Sequence, residues 1–430
     1  MSATDGAAAG PSITGVPATA LIDERVEIGL TGVRPHGAVT IRAQMRDDDN
    51  RSWRSHATFR ADAQGGVAVA AQAPLAGTYT DVDAMGLFWS MGPETTAEAA
   101  PFAKSGLAPT LMTITAEVDG QPCAMATLER LFVAPNVRAE QVRAQGLAGT
   151  LFRPPGRGPH PRVIVLSGSG GGLPQGLAAL LASHGYAALA LAYFSYEHLP
   201  AELVTIPLEY FETGMRWLQA QQGVRDDRLG VVGTSRGGEL ALLLGATFPR
   251  VTAVVGYVPS GIVWGGIAEG EERSAWTYRG RPLPFAPGLS PAEMEEVYRH
   301  EPIPLTPTFL ACLRNPAVGE AVTIPVERTR GAILLISGQD DQMWPSTLFS
   351  EMVIARLRRQ AFAHPYRHLS YTGAGHDIAR PYLPTTVRQA RHPFDERLFA
   401  YGGNAQDHAA AQAASWLQVL SFLGEQLGPA

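Results

Sequence analysis

Cysteine is scarce in this chain of 430 residues. The only two, Cys123 and Cys312, stand far apart in sequence and form neither a disulfide framework nor a metal-ligand pattern. A chain of this length without such covalent links depends on its hydrophobic cores, and sparse cysteine is typical of a reducing compartment. We therefore expect a cytoplasmic protein of about two domains, with no metal site.

An excess of positive charge is also absent. Lysine and arginine total 34 against 40 aspartates and glutamates, which gives a net charge of −6. Nucleic-acid binding depends on a positive surface that neutralises phosphates, so this balance argues against a nucleic-acid partner. Charged residues make up 17% of the chain and hydrophobic residues 45%, a composition that favours well-packed globular domains over disorder.

No uninterrupted hydrophobic run has the length of a membrane span. The uncharged stretch 163–196 is long enough, but its glycines at 168 and 170–172 and Pro174 interrupt it, which favours a strand, loop, helix and strand. No basic residue precedes Arg25, and glycines and prolines interrupt positions 10–17, so we expect neither a secretory signal nor a transit peptide.

The first part of the chain has the two-residue period of β-strands. Apolar residues alternate with polar ones along 39–46 and again along 112–118, as strands with one face on a core require. A tight Asp-Gly turn follows at 119. Because the strands are short and no helical pattern separates them, we expect a β-sandwich over 23–137, preceded by an N-terminal tail at 1–22.

Beyond residue 135 the pattern changes to short apolar runs separated by amphipathic helices, which is typical of a parallel sheet covered on both faces. The runs predicted as central strands are 163–166, 187–191, 229–232, 251–255 and 332–336. The segment 261–330, rich in proline and glycine, is longer than a normal connection and is predicted to be a cap over the active site. We expect 138–430 to form this second, α/β domain.

One motif joins a predicted strand to a predicted helix. The strand 229–232 runs into Gly233-Thr-Ser-Arg-Gly237, and a helix-forming run follows. A G-x-S-x-G sequence at such a junction is a nucleophile elbow, in which small flanking residues let the chain turn sharply and expose the serine hydroxyl. The placement of the motif, more than the motif itself, predicts Ser235 as a nucleophile.

A carboxylate and an imidazole follow Ser235 in the chain, as an activated serine requires. The strand 332–336 leads into Gly338-Gln-Asp-Asp341, and Gly373-Ala-Gly-His376 follows further on. The order Ser, Asp, His is the one that α/β-hydrolases use. His376 is therefore the predicted base and Asp341 the predicted orienting carboxylate, with Asp340 as the alternative.

A glycine-rich loop, 167–172, follows the predicted strand 163–166. The tetrahedral intermediate of acyl transfer needs two N–H donors, one from the residue after the nucleophile and one from a loop after an early strand. Arg236 fits the first position, and Ser169 or Gly170 the second. For Arg236, an exposed side chain with only the amide taking part is an open alternative. The loop lacks the spacing of a nucleotide fingerprint, so no nucleotide cofactor is predicted.

Several further stretches match a known family. They are Met85-Gly-Leu-Phe-Trp-Ser-Met91, Gly168-Ser-Gly-Gly-Gly-Leu173, Leu191-Ala-Tyr-Phe194, Ile206-Pro-Leu-Glu-Tyr-Phe211 and Gly233-Thr-Ser-Arg-Gly-Gly-Glu239. Together with the motifs that end in Asp341 and His376, they follow one another in the expected order along most of the chain. The chain resembles the acyl-CoA thioesterase and bile acid-CoA:amino acid N-acyltransferase family, whose members join an N-terminal β-sandwich to a C-terminal α/β-hydrolase domain.

The resemblance implies an acyl-CoA substrate whose acyl group passes to Ser235 and then to water or an amine. Family members that conjugate amino acids carry cysteine at the elbow, whereas those with serine are mostly hydrolases, so an acyl-CoA thioesterase is the expected activity. An acyltransferase with an amine or alcohol acceptor, and an esterase for a small-molecule or biosynthetic ester, are the alternatives. Coenzyme A is expected only as part of the substrate, with no other cofactor. A non-catalytic binding module is disfavoured, because it has no need of the complete set Ser235, Asp341 and His376.

Overall fold

The computed structural model describes residues 10–95 and 100–428, which form two compact units. Of the described residues, one unit contains those up to Phe132 together with Pro381–Val387, and the other contains Val133–Arg380 and those from Arg388 onward. The boundary thus lies a few residues before the expected one. The short stretch 381–387 joins the first unit through hydrogen bonds such as that from the Thr385 amide to the Trp89 carbonyl oxygen, at 3.0 Å.

In its described residues, the first unit consists of strands and a single helical turn. The elements are β1 (Ser12–Thr14), β2 (Thr19–Leu21), β3 (Gly29–Thr31), β4 (Ala38–Arg46), β5 (Ser52–Arg60), β6 (Val67–Ala68), β7 (Ala76–Gly77), α1 (Gly86–Trp89), β8 (Gly92–Pro93), β9 (Thr110–Val118) and β10 (Gln121–Leu131). One sheet has the order β2-β10-β9-β4-β5-β7, with β8 also paired to β5, and the other has the order β1-β3-β6. Buried and less buried residues alternate along β4, β5 and β9, as the two-residue period predicted.

The expected N-terminal tail, 1–22, contains two of these strands. β1 pairs with β3, and β2 adds a parallel edge strand to β10. Ala20 of β2 is buried, so even this three-residue strand contributes to the core. Residues 1–9 of the expected tail lie outside the described part of the chain.

The second unit alternates strands and helices. Its strands are β11 (Arg138–Val142), β12 (Ala148–Arg153), β13 (His160–Leu166), β14 (Ala187–Ala192), β15 (Ile206–Pro207), β16 (Val224–Thr234), β17 (Val251–Tyr257), β18 (Trp276–Tyr278), β19 (Arg281–Pro282), β20 (Ala332–Gly338), β21 (Tyr366–Tyr371), β22 (Gln389–Arg391) and β23 (Leu398–Ala400). Its helices are α2 (Gln175–Ser183), α3 (Leu208–Gln219), α4 (Arg236–Thr247), α5 (Pro291–Val297), α6 (Thr306–Cys312), α7 (Ser346–Arg359) and α8 (Ala405–Leu427). Within the described residues, no helix combines the length and hydrophobicity needed to cross a membrane.

An eight-stranded sheet forms the centre of the second unit, with the order β11-β12-β14-β13-β16-β17-β20-β21. Neighbours from β14 to β21 are parallel, whereas β12 is antiparallel to both β11 and β14. All five predicted central strands are present, as β13, β14, β16, β17 and β20. The predicted fold class, an all-β sandwich domain followed by an α/β-hydrolase domain, is therefore confirmed.

The segment 261–330, called the cap segment below, has little regular structure. It contains β18 and β19, the short helices α5 and α6, and two 3₁₀ turns at Glu320–Val322 and Val326–Arg328. β18 and β19 form a small separate sheet with β15. Regular strands are therefore few in this segment, and isolated bridges such as those of Ile267 with Leu203 and Ile262 with Thr323 also hold its backbone.

Candidate active site

Ser235 lies at the sharp turn between β16 and α4. Its φ of 58° and ψ of −120° are strained for a residue other than glycine, and its amide donates to the Tyr257 carbonyl oxygen at 2.8 Å. The turn also requires its two glycines. A Cβ at Gly233 would lie 1.9 Å from the Gly237 carbonyl oxygen, and a Cβ at Gly237 would lie 2.2 Å from the Ser167 carbonyl oxygen. The predicted elbow is thus present as a strand, a strained serine and a helix.

His376 lies between Ser235 and Asp341. Its Nε2 is 3.0 Å from Ser235 Oγ, and its Nδ1 is 3.0 and 2.9 Å from Oδ1 and Oδ2 of Asp341. His376 is 8% exposed and Asp341 5%, so water competes little for these bonds. When the Nδ1–H group donates its hydrogen bond to Asp341, Nε2 carries a lone pair directed at the serine hydroxyl. The arrangement can therefore activate Ser235 as a nucleophile.

The two neighbouring aspartates have different surroundings. Asp341 also accepts hydrogen bonds from Ser346 Oγ at 2.6 Å and from the Met343 amide at 3.0 Å. Asp340 is exposed and accepts from the Gly403 amide at 2.9 Å, which holds a loop. The structure thus brings Asp341, and not Asp340, to the imidazole.

The glycine-rich loop lies against the elbow. A Cβ at Gly168 would be 3.2 Å from the Cβ of Ser235, and Ser169 and Gly170 line a cavity that opens on the serine. Arg236 is the first residue of α4, where an amide has no acceptor within its own helix. The residues predicted to supply the oxyanion donors therefore all border the space next to Ser235.

The side chain of Arg236 is buried, so the alternative that it is exposed is wrong. Its Nη1 is 2.7 Å from Glu239 Oε2, and its Nη2 donates to the carbonyl oxygens of Trp264 and Gly265 at 3.1 and 3.0 Å. Glu239 is fully buried, and its Oε1 accepts from Trp276 Nε1 at 2.8 Å. Loss of solvation raises the pKa of Glu239 to about 7, although the positive charge of Arg236 opposes the shift.

Glu239 was not predicted to belong to the site. A signal for it existed in the sequence, because it is the one charged residue in the helical run that follows Gly238, up to position 247. Glutamate is almost never fully buried unless it is paired, so a charge in such a run requires a partner nearby.

Two cavities meet at Ser235 and His376. One, of about 210 Å³, has mainly apolar and aromatic walls, whereas the other, of about 230 Å³, borders the glycine-rich loop, His392 and Tyr401. The cap segment supplies four lining residues of the first cavity, which are Ile267, Tyr298, Leu305 and Phe309. This segment therefore forms one wall of the site.

His392 lines both cavities and was also missed. Its Nε2 is 3.2 Å from Ser169 Oγ, and its burial lowers the pKa of the imidazole. The residue follows the short strand β22 in a stretch without periodicity or motif. Nothing in the sequence distinguishes it from the other histidines.

The central parallel sheet, the elbow and the imidazole held between a serine and a carboxylate are together those of an α/β-hydrolase. Two family descriptions match the chain. "Acyl-CoA thioester hydrolase/BAAT N-terminal region" matches residues 23–144, and "BAAT / Acyl-CoA thioester hydrolase C terminal" matches residues 206–429.

Individual relatives agree with this match. "Peroxisomal succinyl-coenzyme A thioesterase" of Mus musculus is 32% identical over 418 residues, 94% of each chain. "Acyl-coenzyme A thioesterase 2, mitochondrial" of Mus musculus is 33% identical over 415 residues, 94% of this chain and 87% of the relative. "Bile acid-CoA:amino acid N-acyltransferase" of Mus musculus is 33% identical over 426 residues, 97% of this chain and 98% of the relative. The chain belongs to the acyl-CoA thioester hydrolase/BAAT family, as the resemblance predicted.

Proposed function

We propose that this protein is an acyl-CoA thioesterase that works through an acyl-enzyme on Ser235. The observation that carries the proposal is the hydrogen-bonded series Ser235, His376 and Asp341, in a chain whose relatives include named acyl-CoA thioesterases. The serine at the elbow favours hydrolysis over conjugation, as the resemblance to the family implies.

Acylation begins when Ser235 Oγ attacks the thioester carbonyl carbon and its proton moves to His376 Nε2. Asp341 stabilises the imidazolium that forms. The amides of Arg236 and of Ser169 or Gly170 stabilise the oxyanion. When the tetrahedral intermediate collapses, the carbon–sulfur bond breaks, and the sulfur leaves as the coenzyme A thiol with the proton from His376.

Deacylation repeats these steps with water as the nucleophile. His376 Nε2 removes a proton from water as the water oxygen attacks the acyl carbon. The bond between the acyl carbon and Ser235 Oγ then breaks, and Oγ recovers its proton from His376. The products are a free acid and regenerated enzyme.

The cavity of about 210 Å³ is the proposed acyl site, because its walls are mainly apolar and it opens on Ser235. No resident cofactor takes part in the proposal, since the chemistry needs only the three side chains and the amide donors. Coenzyme A enters as the leaving group of the substrate.

The proposed compartment is the cytoplasm, because both cysteines are free. The names of two relatives place them in peroxisomes and mitochondria. Cell fractionation with an antibody to this chain tests the proposal, and recovery with an organelle fraction would contradict it.

Members of the family differ in the molecule that accepts the acyl group. An acyl-serine is an oxygen ester, which reacts less readily with amines than a thioester does, so water is the proposed acceptor. With an acyl-CoA and excess glycine, the free acid should dominate over N-acylglycine. The variant Ser235→Cys should raise the share of N-acylglycine and slow hydrolysis.

A panel of acyl-CoAs, each with and without glycine or taurine, tests the function directly. We expect release of coenzyme A thiol and one equivalent of free acid, identified by mass, and no release with Ser235→Ala. If the product is predominantly N-acylated, the proposed function changes from thioesterase to acyltransferase. If simple oxygen esters are cleaved and every acyl-CoA is left intact, the proposed function changes to esterase.

A further inference from the structure

A buried polar network connects the elbow to the cap segment. Arg236 and Glu239 lie in the first turn of α4, directly after Ser235. Their partners Trp264, Gly265 and Trp276 all belong to the cap segment, and four hydrogen bonds of 2.7 to 3.1 Å join the five residues. These five residues are called the elbow–cap network below.

The network is close to the wall of the proposed acyl site. Gly265 is two residues before Ile267, which lines that cavity. The Trp264 ring packs against the Phe309 ring with their centroids 4.7 Å apart, and Phe309 also lines the cavity. A shift of the backbone at 264–265 therefore moves two lining residues relative to Ser235.

Stability alone is a poor explanation for a charge pair at this position. Replacement of a buried ion pair by apolar residues of similar volume is often neutral or stabilising, because burial removes the hydration of both charges. What the pair provides is a defined geometry between α4 and the cap segment. The planar guanidinium reaches a carboxylate and two carbonyl oxygens at once, which fixes their relative positions.

Backbone bridges near the site join Gly265 to Ser274 within the cap segment and Ile267 to Leu203, whereas Arg236 and Glu239 join the segment to α4. β18 and β19 contain three and two residues. The Trp264 and Gly265 carbonyl oxygens face a guanidinium, and the Trp276 indole donates to a carboxylate. The two tryptophan-containing stretches of the segment thus share one attachment point on α4.

We propose that the elbow–cap network determines acyl specificity, by fixing the distance between Ser235 and the wall formed by Ile267 and Phe309. Arg236 and Glu239 act here through their side chains as positioning residues. The inference rests on the proposed function, in that the acyl group on Ser235 must occupy this cavity.

The test compares three variants across a series of straight-chain acyl-CoAs. Glu239→Gln replaces the carboxyl group that holds Arg236 by an amide, and Trp276→Phe removes one hydrogen bond while it keeps an aromatic ring. Glu327→Gln is the matched control, because Glu327 pairs with Arg356 of α7, at 2.8 Å, and so attaches the cap segment to a different helix. For each variant, kcat and KM are measured for every chain length.

We expect Glu239→Gln to reduce the ratio of kcat/KM between the best and worst substrates by roughly tenfold, mainly through KM. Trp276→Phe should reduce it less, and Glu327→Gln should keep the wild-type ratio. Loss of folded protein alone lowers kcat for all substrates by one factor and leaves KM unchanged. If Glu239→Gln does not fold, Trp276→Phe decides the question. An unchanged ratio in the network variants, or an equal change in Glu327→Gln, would overturn the proposal.

The same acyl groups, offered as p-nitrophenyl esters, separate this inference from the proposed function. If the wild type cleaves these esters but no acyl-CoA, the thioesterase proposal fails, and the ester profiles of the variants still decide the role of the network. If acyl-CoA is cleaved and kcat/KM depends on acyl chain length in the same way in the network variants and the wild type, only the inference about the elbow–cap network fails. An enzyme that cleaves neither kind of substrate refutes both.

Discussion

The nucleophile elbow and the cap segment meet at one cavity, but they are held in place by different means. The elbow depends on short-range features, a buried strand, glycines at 233 and 237 and a helix that follows at once. The cap segment depends on bonds between residues distant in the chain, such as Arg236 with Trp264 and Glu239 with Trp276. The comparison indicates that the chemistry is encoded locally, whereas the shape of the substrate site is not.

This difference predicts two kinds of mutational effect. Changes to the reacting groups at the strand ends should remove almost all turnover, whichever acyl-CoA is offered. Changes to the network behind them should leave turnover measurable and alter the stability or the choice of substrate. Three predictions test the contrast, starting with the largest effect.

Ser235→Ala should lower kcat by roughly 10⁴–10⁶-fold, because the hydroxyl is the proposed nucleophile. The fold should persist, with an unfolding midpoint close to that of the wild type. Cys123→Ala is the matched control and should keep full activity. Residual turnover within tenfold of the wild type would show that another group attacks the substrate.

Asp341→Asn should lower kcat by roughly 10⁴-fold, because an amide cannot stabilise the imidazolium and favours the wrong tautomer of His376. The neighbouring variant Asp340→Asn should change kcat by only a few-fold, since its carboxylate bonds to the Gly403 amide. Steady-state rates of the two variants, measured side by side, decide the assignment. Equal losses would contradict it.

The same contrast explains how far the sequence predicts the structure. The five central strands and the elbow are readable because a strand buried on both faces is an apolar run, and the turn requires glycine. The edge strands β11 and β21 were missed, because their exposed or half-buried residues, such as Arg138 and Arg367, hide the apolar pattern.

The rest of the site could be predicted only in part. Asp341 and His376 could be predicted because each follows a strand or small-residue loop in the order that this fold uses. The buried state of Arg236 depends on Glu239 and on carbonyl oxygens from the cap segment, which only the folded chain brings together. His392 is near Ser169 for the same reason, although 223 positions separate them in the sequence.

The smallest predicted effect is on stability and comes from Glu239. Because its folded-state pKa is raised from 4.5 to about 7, the folded protein keeps a proton that the unfolded chain releases between these values. This contribution is fully present below about pH 4.5 and is lost as the pH rises through about 7. The variant Glu239→Gln cannot titrate at this position.

Urea unfolding of the wild type and Glu239→Gln at about pH 5 and about pH 8 measures this contribution. The free energy of unfolding of the wild type, relative to the variant, should decrease at the higher pH. A difference between the two proteins that stays constant with pH would show that Glu239 ionises as readily in the folded protein as in the unfolded chain.

The most direct test of the account is a search for the acyl-enzyme. The wild type is mixed with a slight excess of an acyl-CoA, quenched in acid before turnover is complete, digested and analysed by mass. We predict one acyl group on the peptide that contains Ser235, formed together with one equivalent of free coenzyme A thiol. An acyl group on Cys123 or Cys312 would contradict the mechanism. A burst of coenzyme A thiol with no acyl group on any peptide would contradict it as well.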